Sequence, residues 1–179
     1  MDAIRRHWNE AVPVHAASRF YDVESFKAGR SPLLSIELGE LGDVSGKSML
    51  HLQCHFGLDT MSWARLGARV TGVDFSEEAI TLAISLSREL DIDARFVLSN
   101  VYDLPEVLKE PGKYDIVFTS YGVLCWLPDL VKWARVIARF LKPGGTFCIV
   151  DGHPSGGIFD DRDGVAELRV DYPYFHSGE

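Results

Sequence analysis

A chain of 179 residues, 46% hydrophobic and 25% charged, has the length and composition of one soluble domain able to bury its own core. Eighteen Lys and Arg against 26 Asp and Glu leave a net charge of −8, which repels phosphate backbones and anionic lipid and argues against bulk nucleic acid or membrane as partners. No apolar run is long enough to span a bilayer, MDAIRRHWNE has no signal core, and three scattered cysteines, Cys54, Cys125 and Cys148, read as reduced, buried thiols of a cytoplasmic protein.

The first 30 residues, with Trp8, Phe20, Tyr21 and Phe26 among charges, predict one or two short helices around Pro13 ending near Gly29. A helix then runs from Ser31-Pro32 to Gly42, with proline at its start and glycine at its end. From here strands and helices alternate. Ser48–Cys54 reads as a strand, followed by a helix to about Leu66 that Gly67 stops. Arg69–Asp74 is a second strand, and Ser76 caps a helix to about Leu90. Arg95–Leu98 and Tyr114–Ser120 are the third and fourth strands. Pro128 opens a helix whose Leu130, Ala134, Ile137 and Leu141 share a face; it ends at Lys142-Pro143-Gly144-Gly145, before a fifth strand, Thr146–Asp151.

Near-continuous apolar strands alternating with helices imply a doubly wound α/β fold: a mostly parallel sheet with helices on both faces. Three parts follow: an N-terminal helical cover (1–45), a core (46–151) and an acidic, aromatic tail (152–179). The tail holds Asp160, Asp161 and Asp163, then Tyr172, Tyr174, Phe175 and His176. It reads as a substrate flap or as the stump of a longer chain.

Ligands of such sheets bind beyond the carboxyl ends of the strands, at the switch in strand order. Gly57, after the first strand, lets backbone approach a ligand. Asp74 ends the second strand, where a carboxylate can accept both hydroxyls of a ribose. Asn100 and the Val101 amide, after the third strand, can meet an adenine, and asparagine also commonly satisfies a turn. Ser120 and Tyr121 end the fourth strand beside the expected reacting centre.

The series LHLQCHFGLD, VTGVDFSEEAI, NVYDLP, YDIVFTSYGVLCWLPDL and LKPGGTFCIVDG resembles the class I S-adenosylmethionine-dependent methyltransferases, in order, from about Lys47 to Asp151. The resemblance implies a Rossmann-like sheet and S-adenosylmethionine as cofactor, with S-adenosylhomocysteine as product. It also implies in-line methyl transfer to a small-molecule acceptor. It assigns cofactor contacts to Gln53, His55, Gly57, Asp74, Phe75, Asn100, Val101, Ser120 and Tyr21. Tyr121, Trp126 and His153 would face the acceptor, with His153 as base. The family's usual first motif is Asp-x-Gly-x-Gly-x-Gly; here His51, Gln53 and His55 replace the acid and two glycines, so the loop should narrow the methionine end of the pocket. The family's final antiparallel hairpin has no counterpart after residue 151, which favours a chain that continues beyond Glu179.

His51, Cys54 and His55 do not read as a metal site, because strand alternation turns Cys54 away from the histidines and no fourth ligand is suitably spaced. His51 reads instead as a hydrogen-bonded core histidine. Two rivals remain: a non-catalytic module binding S-adenosylmethionine or S-adenosylhomocysteine, suggested by the missing glycines, and a nicotinamide-dependent oxidoreductase, which would lack its usual glycine pattern at residues 51–59. Oligomeric state is not legible.

Overall fold

The β1 strand (Ser48–Leu52) is buried along its whole length, as expected of a strand flanked by neighbours and covered on both faces. In the computed structural model, which describes residues 2–160, 162 and 167–174, it pairs in parallel with β2 (Arg69–Asp74) on one side and β4 (Tyr114–Ser120) on the other. The β3 strand (Ala94–Leu98) extends the sheet beyond β2, and β5 (Leu141–Val150) beyond β4. The order β3-β2-β1-β4-β5 reverses direction between β1 and β4, where the ends of the two strands leave a crevice.

Seven helices surround the sheet among the described residues: α1 (Asp2–Ala16), α2 (Val23–Lys27), α3 (Ser35–Leu41), α4 (Leu58–Arg65), α5 (Glu77–Glu89), α6 (Leu104–Val107) and α7 (Leu130–Phe140). One core cluster joins Leu50, Leu52, Val117, Trp133 and Phe140. A second, around Met49, Trp63 and Phe118, fills the other side of β1 and β4. A third, with Val12, Phe26, Phe56 and Met61, ties the N-terminal helices to α4 and α5. No helix is long and apolar enough to cross a membrane among the described residues.

Several boundaries differ from the sequence reading. The α1 helix runs through Pro13 to Ala16. The α3 helix starts at Ser35, three residues after Pro32, because Glu37 Oε1 accepts the Leu34 N–H at 2.7 Å and closes the first turn there. The buried stripe of α7 is Trp133, Val136, Ile137 and Phe140. This i, i+3, i+4, i+7 set places the bulkier side chains inward, leaving Leu130 49% exposed and Ala134 outside. The β5 strand includes Lys142–Gly145, where Tyr114 faces Leu141 but Ile116 faces Thr146, a local bulge. Cys54 is buried, but Cys125 is exposed and Cys148 half-buried, because Cys125 sits in the short turn after β4 rather than in a strand.

Two glycines set the packing beneath the crevice. A Cβ at Gly72 would stand 2.9 Å from both Cys54 Sγ and the Phe96 ring, and one at Gly57 would stand 2.5 Å from Phe96 Cε1. The Phe96 ring thus fills space that only glycines leave, and holds the β1–α4 loop against β2 and β3. In the tail, Phe159 and Val170 form an isolated antiparallel bridge. Asp161, Asp163, Phe175 and His176 lie outside the described residues.

Candidate functional site

The crevice opens into a cavity of about 590 Å³, within the size range of sites for small molecules and cofactors. Its wall includes Gln53, His55, Gly57, Asp74, Phe75, Asn100, Val101, Ser120, Tyr121 and Tyr21. Loops far apart in the chain therefore bring these ten sequence-derived residues together with an eleventh, Trp126. His153 is not among them. It stands exposed at the start of a 3₁₀ turn, with Nδ1 2.8 Å from Ser155 Oγ.

Asp74 is 8% exposed. Its Oδ2 accepts the His55 N–H at 2.8 Å and its Oδ1 accepts the Ser76 N–H at 2.9 Å. Burial pushes its pKa up while these backbone bonds pull it down. With a further backbone bond from Phe75, the carboxylate keeps acceptor capacity for a ligand hydroxyl. Asn100 Oδ1 accepts the Tyr102 N–H at 3.0 Å, so it does satisfy a turn, and its amide NH₂ is left to serve a ligand.

The β1–α4 loop departs from simple alternation. The strand ends at Leu52, and Gln53 and His55 have φ of 53° and 51°, with Gly57 at 76°. Gln53 and His55 thus adopt backbone conformations normally left to glycine, at a strain of about 1–3 kcal/mol each, of the kind concentrated at functional sites. The orientation expected from a continuous strand fails here. His51 points into the core, its Nδ1 2.8 Å from Thr60 Oγ1, whereas His55 Nε2 meets His15 Nδ1 of α1 at 3.0 Å. Among the described residues no group of three or more His, Cys, Asp or Glu is placed to hold a metal ion.

An aromatic lid closes over this loop. Trp8 of α1 packs edge-on to His55 and to Trp126, and Tyr21 stacks on His15 and tilts against Phe56. The α1 helix is anchored by Asn9, whose Oδ1 accepts the Ser76 hydroxyl at 2.6 Å and whose Nδ2 donates to Glu77 at 2.8 Å.

Sequence reading gave no role to Asp59 and Glu37. Asp59 lines the cavity and accepts the Ser120 hydroxyl at 2.8 Å; burial and the charge of Glu37 push its pKa up against that bond. Glu37 is fully buried and accepts the Tyr121 hydroxyl at 3.1 Å. Burial, with Glu37 as acceptor, pushes the Tyr121 pKa up to about 12, so the phenol stays protonated. An acid in the first turn of a helix and one in an amphipathic helix both look like solvated charges in sequence, which hid them.

Burial lowers the pKa of His51 to about 3, and burial followed by His15 lowers that of His55 to about 3, from 6.5. Between those values the unfolded chain binds more protons than the folded one, so stability is full above pH 6.5 and falls as pH drops. The slope is about 1.4 kcal/mol per pH unit for each fully buried neutral histidine. The urea midpoint should therefore fall between pH 7.5 and pH 5, and His51→Gln should flatten that fall; an unchanged wild-type midpoint would contradict this assignment.

Comparison with known proteins places this geometry in a family. Residues 50–149 match the family described as "Methyltransferase domain", and the chain belongs to it. The chain is 30% identical over 149 residues to the ubiquinone biosynthesis O-methyltransferase of Bordetella pertussis, covering 80% of this chain and 61% of that protein. It is 32% identical to the corresponding protein of Escherichia fergusonii, covering 72% and 54%. It thus spans about three fifths of the length of such relatives or less. Its fold matches geranyl diphosphate C-methyltransferase from Streptomyces coelicolor, solved with S-adenosylhomocysteine, at a TM-score of 0.64 and 21% identity over 84% of this chain and 64% of that one. A geranyl diphosphate methyltransferase solved with sinefungin matches at 0.56 and 25% identity, over 64% and 41%. The expected Rossmann-like class I architecture is the one observed.

Proposed function

We propose that this chain carries the cofactor-binding core of an S-adenosylmethionine-dependent methyltransferase that modifies a small-molecule acceptor by in-line displacement. The observation that carries the reading is a single cavity at the strand-order switch that joins the Asp74 carboxylate, at the tip of β2, to the Gly57 loop after β1. The names of the relatives and the S-adenosylhomocysteine and sinefungin bound in neighbours support the same cofactor.

The residues fit that ligand. The Asp74 oxygens suit the ribose hydroxyls, and the Asn100 amide and Val101 N–H suit the adenine edge. Gly57 permits close backbone approach, and Phe75 walls the same cavity. When bound, S-adenosylmethionine supplies an electrophilic methyl group on a sulfonium that leaves without acid catalysis. The chain's own contribution is therefore positioning and exclusion of water, which supply most of the acceleration in such a transfer. The rings of Tyr21, Trp8 and Trp126 line the covered side, where their faces favour a cation. Tyr121, kept as a neutral phenol whose proton goes to Glu37, serves as acceptor wall rather than base. His153 lies outside this cavity and has no part in this scheme.

The narrowing expected of the altered loop is offset by its glycine-like backbone, which keeps the side chains of Gln53 and His55 without closing the cavity. Turnover tests the reading. Incubation with methyl-labelled S-adenosylmethionine and a panel of phenols, thiols and amines should yield a labelled product with stoichiometric S-adenosylhomocysteine. Cofactor binding with no turnover across the panel would favour the non-catalytic binding module.

A further inference from the structure

The cavity is also lined by residues of the N-terminal cover that the cofactor reading does not use. Arg30, Ser31 and Leu34, on the segment between α2 and α3, line it together with Phe20 and Trp126. The backbone at Arg30 is pinned from two sides. Its N–H donates to the Ser25 carbonyl at 2.9 Å, across a turn in which Gly29 has φ 106°. From α4, Arg65 donates to the carbonyls of Arg30 at 3.5 Å and Phe26 at 3.1 Å, and lies over the Phe26 ring. The Arg30 side chain therefore starts from a fixed point.

Among the described lining residues Arg30 is the sole Lys or Arg, and its charge is weakly matched. It meets Asp22 through one nitrogen at 3.5 Å, with the two side chains 56% and 37% exposed. Exposed pairs of this kind contribute little, so most of the five guanidinium N–H donors remain for a ligand. The carboxylates that line the cavity are engaged elsewhere: Asp59 by Ser120, and Asp74 by the His55 and Ser76 N–H groups. Next to Arg30, the Ser31 oxygen accepts the Leu33 N–H at 3.2 Å, and its hydroxyl proton goes to no group among the described residues. A guanidinium fork beside a free hydroxyl suits a carboxylate. A lone cation partly matched by Asp22 suits a single negative charge better than the double charge of a phosphate ester.

Around these donors the lining is apolar and uncovered. Phe20 is 85% exposed, Leu34 54% and Trp126 40%. Exposed apolar side chains gathered around one opening mark a place that an apolar body covers.

We propose that the methyl acceptor is an aromatic monocarboxylate, its carboxylate held by Arg30 and Ser31 and its ring packed on Phe20, Leu34 and Trp126. The inference rests on the methyltransferase reading above and names the acceptor class of that site. Calorimetry in saturating S-adenosylhomocysteine, with 2-naphthoate and its uncharged amide 2-naphthamide as probes, tests it. The wild type should bind the naphthoate about tenfold or more tightly than the amide, the scale of a hydrogen bond to a charged group. Arg30→Gln should bring the two probes to equal affinity and leave S-adenosylhomocysteine binding unchanged, while Arg30→Lys, with a charge but no fork, should keep part of the preference. A wild type that binds the naphthoate no more tightly than the amide would overturn the acceptor class alone. So would a preference that survives in a folded Arg30→Gln, or a naphthoate that S-adenosylhomocysteine displaces. A wild type that binds no S-adenosylhomocysteine would overturn the cofactor reading, and this inference with it.

Discussion

Asp74→Ala is expected to weaken S-adenosylhomocysteine binding by about 100-fold or more, because the variant loses two hydrogen bonds from ribose hydroxyls to a charged acceptor, each contributing about 1.5–3 kcal/mol. The carboxylate also has a structural task. It accepts the His55 and Ser76 N–H groups, so the alanine variant leaves two sheltered donors unpaired and should unfold at lower temperature. Asp74→Asn separates the two tasks. It keeps the size and one acceptor oxygen but loses the charge, and should lose most of the binding with less of the stability. Equilibrium dialysis with labelled cofactor, beside thermal melts, reads both; unchanged affinity in Asp74→Ala would remove this residue from the site.

Gly57→Ala should cost about 2–5 kcal/mol of folding stability, a large fraction of the total for a domain of this size. A side chain at φ 76° adds about 1–2 kcal/mol of left-handed strain. The new Cβ would also stand 2.5 and 2.7 Å from the Phe96 ring, and overpacking of that kind adds about 1–3 kcal/mol. Urea unfolding measures the loss, and Phe96→Leu in the Gly57→Ala background should recover part of it by making room. A loss below about 1 kcal/mol would show that the loop can shift freely, contrary to the packing described.

Why the fold was legible and part of the site was not follows from particular residues. The β2 and β4 strands match their expected bounds because each carries a buried, β-branched and aromatic centre between turn residues, and Ser76 announces α5 through its own cap, accepting the Ala79 N–H. The tip of a strand is a predictable place, so Asp74, Asn100 and Tyr121 could be set around one cavity before any coordinates. Two kinds of information were lost. The path of Gln53 and His55 was misread because their left-handed backbone breaks the alternation that strand logic assumes. Asp59 and Glu37 were missed because sequence shows that a residue is acidic, not that a neighbouring loop has buried it. His153 differs in another way: its nearness to β5 in sequence suggested a place in the crevice, and its side chain instead bonds to Ser155 outside the cavity lining.

Calorimetric titration of the purified protein with S-adenosylhomocysteine tests the central claim most directly, because it reads occupation of the cavity without requiring the acceptor. The account predicts saturable one-to-one binding that Asp74→Ala removes. A folded wild-type protein that shows no heat of binding, and no shift in melting temperature with the same ligand, would contradict it.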